Sequence, residues 1–146
     1  MKEFIKSFVL VLGFMTILSC NHSPKPIVYG NDGCHYCKMT IVDKIHGAEL
    51  ITVKGKVFKF DATECMLNYV ADGNEGEVGS FLTNHYESPT VLISASEATF
   101  LISENLPSPM GAYLTAFEDT AQAEKIQAEK GGELYNWEAL KTRLMK

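Results

Sequence analysis

No cluster of basic side chains occurs anywhere in this sequence: 13 Lys and Arg face 18 Asp and Glu, for a formal net charge of −5. A chain of that balance lacks the positive patch that phosphate backbones and anionic headgroups require. Nucleic-acid binding and electrostatic membrane binding are therefore excluded. Long apolar runs are missing as well. The hydrophobic stretch near the N-terminus, Phe8 to Leu18, falls short of the about 20 residues that cross a bilayer as a helix. There is no phosphate-cradling glycine loop, no nucleophile with its base and no general acid–base pair, so an enzyme has no visible machinery. Cysteine is sparse, with four in the chain. Cys34 and Cys37 form a single CxxC, and no second CxxC or paired histidines are present to close a four-ligand zinc site.

What the chain does contain begins with its leader. Lys2 and Lys6 precede the apolar run, which breaks at Ile17-Leu18-Ser19-Cys20. A basic start, a short hydrophobic stretch and a small residue before the break describe an export signal over residues 1–19, not a membrane anchor. The cysteine directly after the break resembles a bacterial lipobox, in which cleavage leaves Cys20 as a lipid-modified first residue. Each buried CH₂ of the acyl chains contributes about 0.8 kcal/mol, so a multiply acylated cysteine anchors firmly. An exported lipoprotein is expected, held at a membrane on its periplasmic or other extracytoplasmic face, with inner and outer membrane left open. Without residues 1–19 the net charge becomes −6, because Lys2, Lys6 and Glu3 depart.

Residues 20–146 have the length of one compact domain or of two small units sharing a core. Residues 20–33 read as a polar tether in which Pro24 and Pro26 favour extended backbone. A strand-like stretch at Met39 to Val42 follows. Strands at Ala48–Val53 and Val57–Phe60 then join through Lys54-Gly55-Lys56, with Gly55 taking the positive φ of a hairpin turn. Asp61-Ala62-Thr63-Glu64 has capping-box form and opens a helix to about Val70, stopped by Asp72-Gly73. Residues 34–79 thus make a first ββα unit carrying the cysteine site, and residues 80–146 a second.

In the second unit, Thr90–Ser94 and Thr99–Ile102 read as paired strands and Tyr113–Phe117 as a third. Asp119-Thr120-Ala121-Gln122 repeats the capping-box form, and its helix should end at Gly131-Gly132. A last helix, Trp137 to Leu144, docks by Trp137, Leu140 and Leu144 on one face. The expected fold class is α+β: two tandem hairpin-plus-helix (ββαβ-like) units with antiparallel sheets, since the long crossovers of a parallel sheet are absent.

Asp32-Gly33-Cys34-His35-Tyr36-Cys37-Lys38-Met39 puts two thiols and a thioether within a few residues of one another. Such soft donors suit Cu(I), which accepts low coordination numbers. On a strand, Cys37 and Met39 point to one face and reach one ion, and Cys34 joins them if the chain turns at His35-Tyr36. Met110, held in a loop between Pro109 and Gly111, is a further candidate ligand.

Rival readings stay open. Structural zinc lacks a closed ligand set. A thioredoxin-like centre needs a helix after its first cysteine, whereas β-branched Thr40-Ile41-Val42 follow Cys37. A plain Cys34–Cys37 disulfide suits an oxidising compartment, and Met39 could simply pack in the core. Cys65 and Met66 fall in the first helix near Tyr69 and read as core. His35 and His46 could add a nitrogen, although lone histidines near turns are more often solvated. The main alternative to copper binding is a lipid-anchored thiol/disulfide redox protein using Cys34 and Cys37. A passive lipoprotein whose cysteines staple a loop is the third reading.

Taken in order, the lipobox, the segment Cys34, Tyr36, Cys37 and Met39, the run Gly55 to Asp61 with Glu64-Cys65-Met66 behind it, and Pro109-Met110-Gly111 followed by Ala116-Phe117 resemble the NosL family, the accessory lipoproteins of nitrous oxide reductase. The resemblance spans essentially the whole mature chain. It implies two small ββαβ-like units, in agreement with the repeat described above. It also implies Cu(I) binding and delivery, not catalysis. The copper would go to the multi-copper sulfide centre of nitrous oxide reductase through an ABC-type maturation complex. By position it assigns Cys37 and Met39 to the metal motif first, with Cys34 and Met110 next. Many members carry Gly where this chain has Lys38.

Overall fold

The computed structural model describes residues 23–73 and 76–145; the expected signal over residues 1–19 and the lipidation candidate Cys20 lie outside the described residues. Along them run β1 (Ala48–Thr52), β2 (Val57–Phe60), α1 (Thr63–Ala71), β3 (Val78–Asn84), β4 (Leu92–Ser94), β5 (Thr99–Ile102), β6 (Leu114–Phe117), α2 (Thr120–Lys130), β7 (Glu133–Tyr135) and α3 (Trp137–Leu144). They build two antiparallel sheets, a four-stranded one ordered β2-β1-β3-β4 and a three-stranded one ordered β6-β5-β7, with helices packed against them. This is the α+β class expected from the sequence.

The β1–β2 hairpin forms as its turn residues demand. Gly55 takes φ 79° and donates its N–H to the Thr52 carbonyl at 2.8 Å, a conformation that costs glycine nothing. Strand β1 is buried at every position because β2 and β3 flank it on both sides. Its pairing with β3 slips between Ile51 and Thr52, where a side chain on Gly79 would come within 3.2 Å of the Ile51 carbonyl oxygen.

Several local expectations are corrected. Met39 to Val42 is no strand, and the chain there makes only a single bridge from Thr40 to Gly33. Strands β4 and β5 are not partners: β4 pairs with β3 and β5 with β6 and β7, so the chain changes sheet between Ser94 and Thr99. The boundary read after residue 79 falls inside β3. Nor do residues 26–33 hang as a tether, because Ile27 is buried, Tyr29 Oη donates to Asn84 Oδ1 at 2.7 Å and Lys59 Nζ reaches the Pro26 carbonyl at 2.7 Å.

The first capping box fails because Asp61 lies one residue too early. Ala62 is the N-cap, without a side-chain cap, and the Asp61 carboxyl is buried with Oδ1 unpartnered. The second cap holds at its first half, with Asp119 accepting from the Ala121 N–H at 2.9 Å.

One core serves both sheets. It runs from Ile27, Cys34 and Ile41 through β1, β2 and α1 to Phe100, Leu114, Trp137 and Leu140. The Trp137 ring on α3 stacks against Phe81 of the first sheet, 5.1 Å between centroids, and Phe100 of the second, 5.8 Å. A smaller cluster of Leu101, Phe117 and Ala123 seats α2.

Candidate metal centre

The loop carrying Cys34 and Cys37 is a narrow hairpin fastened to a sheet edge. Its arms are tied by Ile41 N–H to the Asp32 carbonyl (2.9 Å) and Cys34 N–H to the Met39 carbonyl (2.8 Å). The tip closes through Lys38 N–H to the Cys34 carbonyl (3.1 Å), with Lys38 itself at φ 66°. An L residue pays for that left-handed conformation in steric strain.

Strand β2 is an edge strand, and its free side is occupied by this loop. His35 N–H donates to the Lys59 carbonyl at 2.8 Å, and Lys59 N–H donates to His35 Nδ1 at 3.1 Å. Lys59 Nζ also grips Asp32 Oδ2 at 2.6 Å, and the imidazole stands edge-on to Phe58 with centroids 5.1 Å apart. So held, the loop sends Cys34 into the core (2% exposed), leaves Cys37 half-buried and turns Met39 outward (59% exposed).

Cys65 meets these thiols from the first turn of α1. The Sγ atoms of Cys34, Cys37 and Cys65 all lie within 4.8 Å of one another, the one cluster of three or more such donors among the described residues, and all three are free thiols. The core position expected for Cys65 is correct; its place beside Cys34 was not anticipated. Hydrogen bonding from the Cys65 thiol, then from the backbone N–H groups of Asp61, Cys37 and Tyr36, holds the Cys34 sulfur well below the usual thiol range. Sharing its proton with Cys34, together with burial, pushes Cys65 far up. Burial also raises Cys37, against a hydrogen bond from the Met39 N–H. The cluster is a soft, partly desolvated donor set in which the Cys34 sulfur is the most readily ionised.

Met110 stays on an exposed loop (40% exposed). That loop is tied to α1 by the Ser108 hydroxyl, which donates to Glu64 Oε1 at 2.8 Å and stands 3.4 Å from the Leu114 N–H. The second oxygen of Glu64 is buried without a partner. The histidines have other work. His46 is buried, not solvated, with Nδ1 on Asp43 (2.9 Å) and Nε2 on Thr115 Oγ1 (3.1 Å), and His35 is engaged by Lys59.

No curated protein matches the sequence. Among solved structures, the crystal structure of the copper chaperone NosL from Shewanella denitrificans shares the fold. The match has 24% identity and a TM-score of 0.69, and covers 80% of this chain and 94% of that one. The NosL family model spans residues 27–145, from the buried Ile27 to the residue after α3, and the chain belongs to the NosL family.

Proposed function

We propose that the protein is a Cu(I) metallochaperone, exported, anchored through Cys20, and supplying copper for nitrous oxide reductase by way of an ABC-type maturation complex. The observation that carries this reading is the convergence of Cys34 and Cys37 with a third thiol at one point of an otherwise closed core. Thiolates with thioethers nearby favour Cu(I) over harder or more highly coordinated ions. Membership of the NosL family and the likeness to a copper chaperone support the same role. Cys37 is the central ligand, Cys34 stands beside it, Met39 is an exposed thioether on the same hairpin, and Met110, also exposed, is the further candidate from the second half of the chain. Transfer then proceeds by ligand exchange, with no chemical step on a substrate.

Titration of the reduced protein should show one Cu(I) bound in preference to Zn(II), with Cys37→Ser removing nearly all uptake. Equal uptake by that variant overturns the assignment. Copper-loaded protein should restore activity to copper-depleted nitrous oxide reductase only when the maturation complex is present. For the anchor, Cys20→Ser should move the protein out of salt-washed membranes, and retention there would remove the lipid.

The depressed Cys34 thiol beside two others also suits thiol/disulfide exchange. That reading requires reversible two-electron cycling of the metal-free protein and copper-independent activity on disulfide substrates.

A further inference from the structure

We infer that Cys65 is an anchoring copper ligand and that the ion moves between two tiers of donors: a closed triangle of Cys34, Cys37 and Cys65 for holding, and Cys37 with Met39 for release. This rests on the copper reading above and specifies how the same site keeps and yields its cargo. Three sulfurs bound in a plane to one ion at a thiolate bond of about 2.3 Å lie roughly 4 Å apart. The three Sγ atoms already sit within 4.8 Å of one another. Small side-chain adjustments close the triangle, with the backbone left in place.

The corners differ in access. Cys65 is fixed in α1 and fully buried, and Cys34, 2% exposed, is held by its backbone bonds to Met39 and Lys38 across the hairpin. Only Cys37 reaches solvent, so an acceptor can approach the ion from its side alone. Met39 lies two residues on in the same hairpin, with its thioether 59% exposed. On loading, each thiol that becomes a ligand gives its proton to solvent and copper remains Cu(I). On release, the bonds from copper to Cys65 Sγ and then to Cys34 Sγ break, a bond to Met39 Sδ forms, and each freed sulfur regains from solvent any proton it gave up on loading; no electron moves. Acceptor ligands then displace Met39 and Cys37.

The test uses the full chain, reduced and in detergent, with a Cu(I) chelator as competitor and acceptor, and X-ray absorption at the copper edge. The double variant Met39→Leu/Met110→Leu changes only exposed side chains of similar volume, so folding is preserved. It should keep its sulfur count and hold Cu(I) within about threefold of the parent, while transfer to the chelator slows by about fivefold or more. Cys65→Ala, checked by circular dichroism, should lose one sulfur and about tenfold in affinity, and should release faster.

A double variant that loses about tenfold in affinity overturns the inference whatever Cys65→Ala does, because the holding ligands are then thioethers. An unchanged transfer rate removes Met39 from release, and full affinity in folded Cys65→Ala removes Cys65. Failure of the parent chain to take up Cu(I) is a different result, and it defeats the copper reading itself.

Discussion

Lys38 offers a direct measure of the strain in the hairpin that presents Cys37. Its φ of 66° puts an L side chain in the left-handed region, at a cost of about 1–2 kcal/mol. Glycine removes that cost but adds about 0.5–1 kcal/mol of backbone entropy to be lost on folding. The exposed hydrogen bond from Lys38 Nζ to the His35 carbonyl also goes, a surface interaction worth a few tenths of a kcal/mol. The balance predicts that Lys38→Gly stabilises the reduced, metal-free protein by about 0.5 kcal/mol. Valine keeps the φ and adds a branched Cβ, so Lys38→Val should destabilise by about 1 kcal/mol or more.

Urea unfolding followed by circular dichroism gives the three midpoints. The slopes should agree, since none of the changes alters the surface exposed on unfolding. The expected order of stability is Gly, Lys, Val. Val equal to or above Gly would refute the strain argument and with it the account of the hairpin tip.

Among the described residues, Ser108→Ala deletes the one hydroxyl bonded to Glu64 and leaves both carboxylate oxygens without a partner. Urea unfolding should report a loss of about 1–3 kcal/mol, and an unchanged midpoint would show that Glu64 finds another partner. The hydrogen bond from His46 holds Asp43 down to about 2 from an ordinary 3.8, so its contribution to stability is full above 3.8 and fades as pH falls through 2. Asp43→Asn should therefore be less stable near neutrality and lose less between pH 4 and 2 than the parent, as read from unfolding curves across that range; parallel curves would remove the pair as a source of acid sensitivity.

What the sequence made legible was mostly local. The β1–β2 hairpin, the span of α3 and the glycine stop of α2 follow from turn chemistry, periodicity and caps, which act over a few residues. Strand β3 escaped because Gly79 and Ser80 blur its alternation and its place between β1 and β4 depends on distant partners. The expected β4–β5 pairing fails for the same reason: two short strands near each other in the chain invite a hairpin, while the register actually runs Leu82 to Ser94 and Phe100 to Ala116.

At the site, the CxxC was plain and Cys65 was not recognised as a neighbour. Helical periodicity buries Cys65 whether it packs or ligates, and only the docking of the Cys34 loop on the β2 edge brings the sulfurs together. Lys59 does that docking with its backbone as well as its ammonium group, and the backbone part is encoded by no residue pattern.

The stacking of Trp137 between Phe81 and Phe100 has a consequence for how the molecule is made. Both sheets precede Trp137 in the chain, so the indole is a late addition to contacts that already tie them, His46 to Thr115 Oγ1 and the Tyr86 N–H to the Ala116 carbonyl among them. A chain truncated ahead of Trp137 would leave Phe81 and Phe100 without the ring that covers them. The last helix thus completes a core whose other residues all lie earlier in the chain.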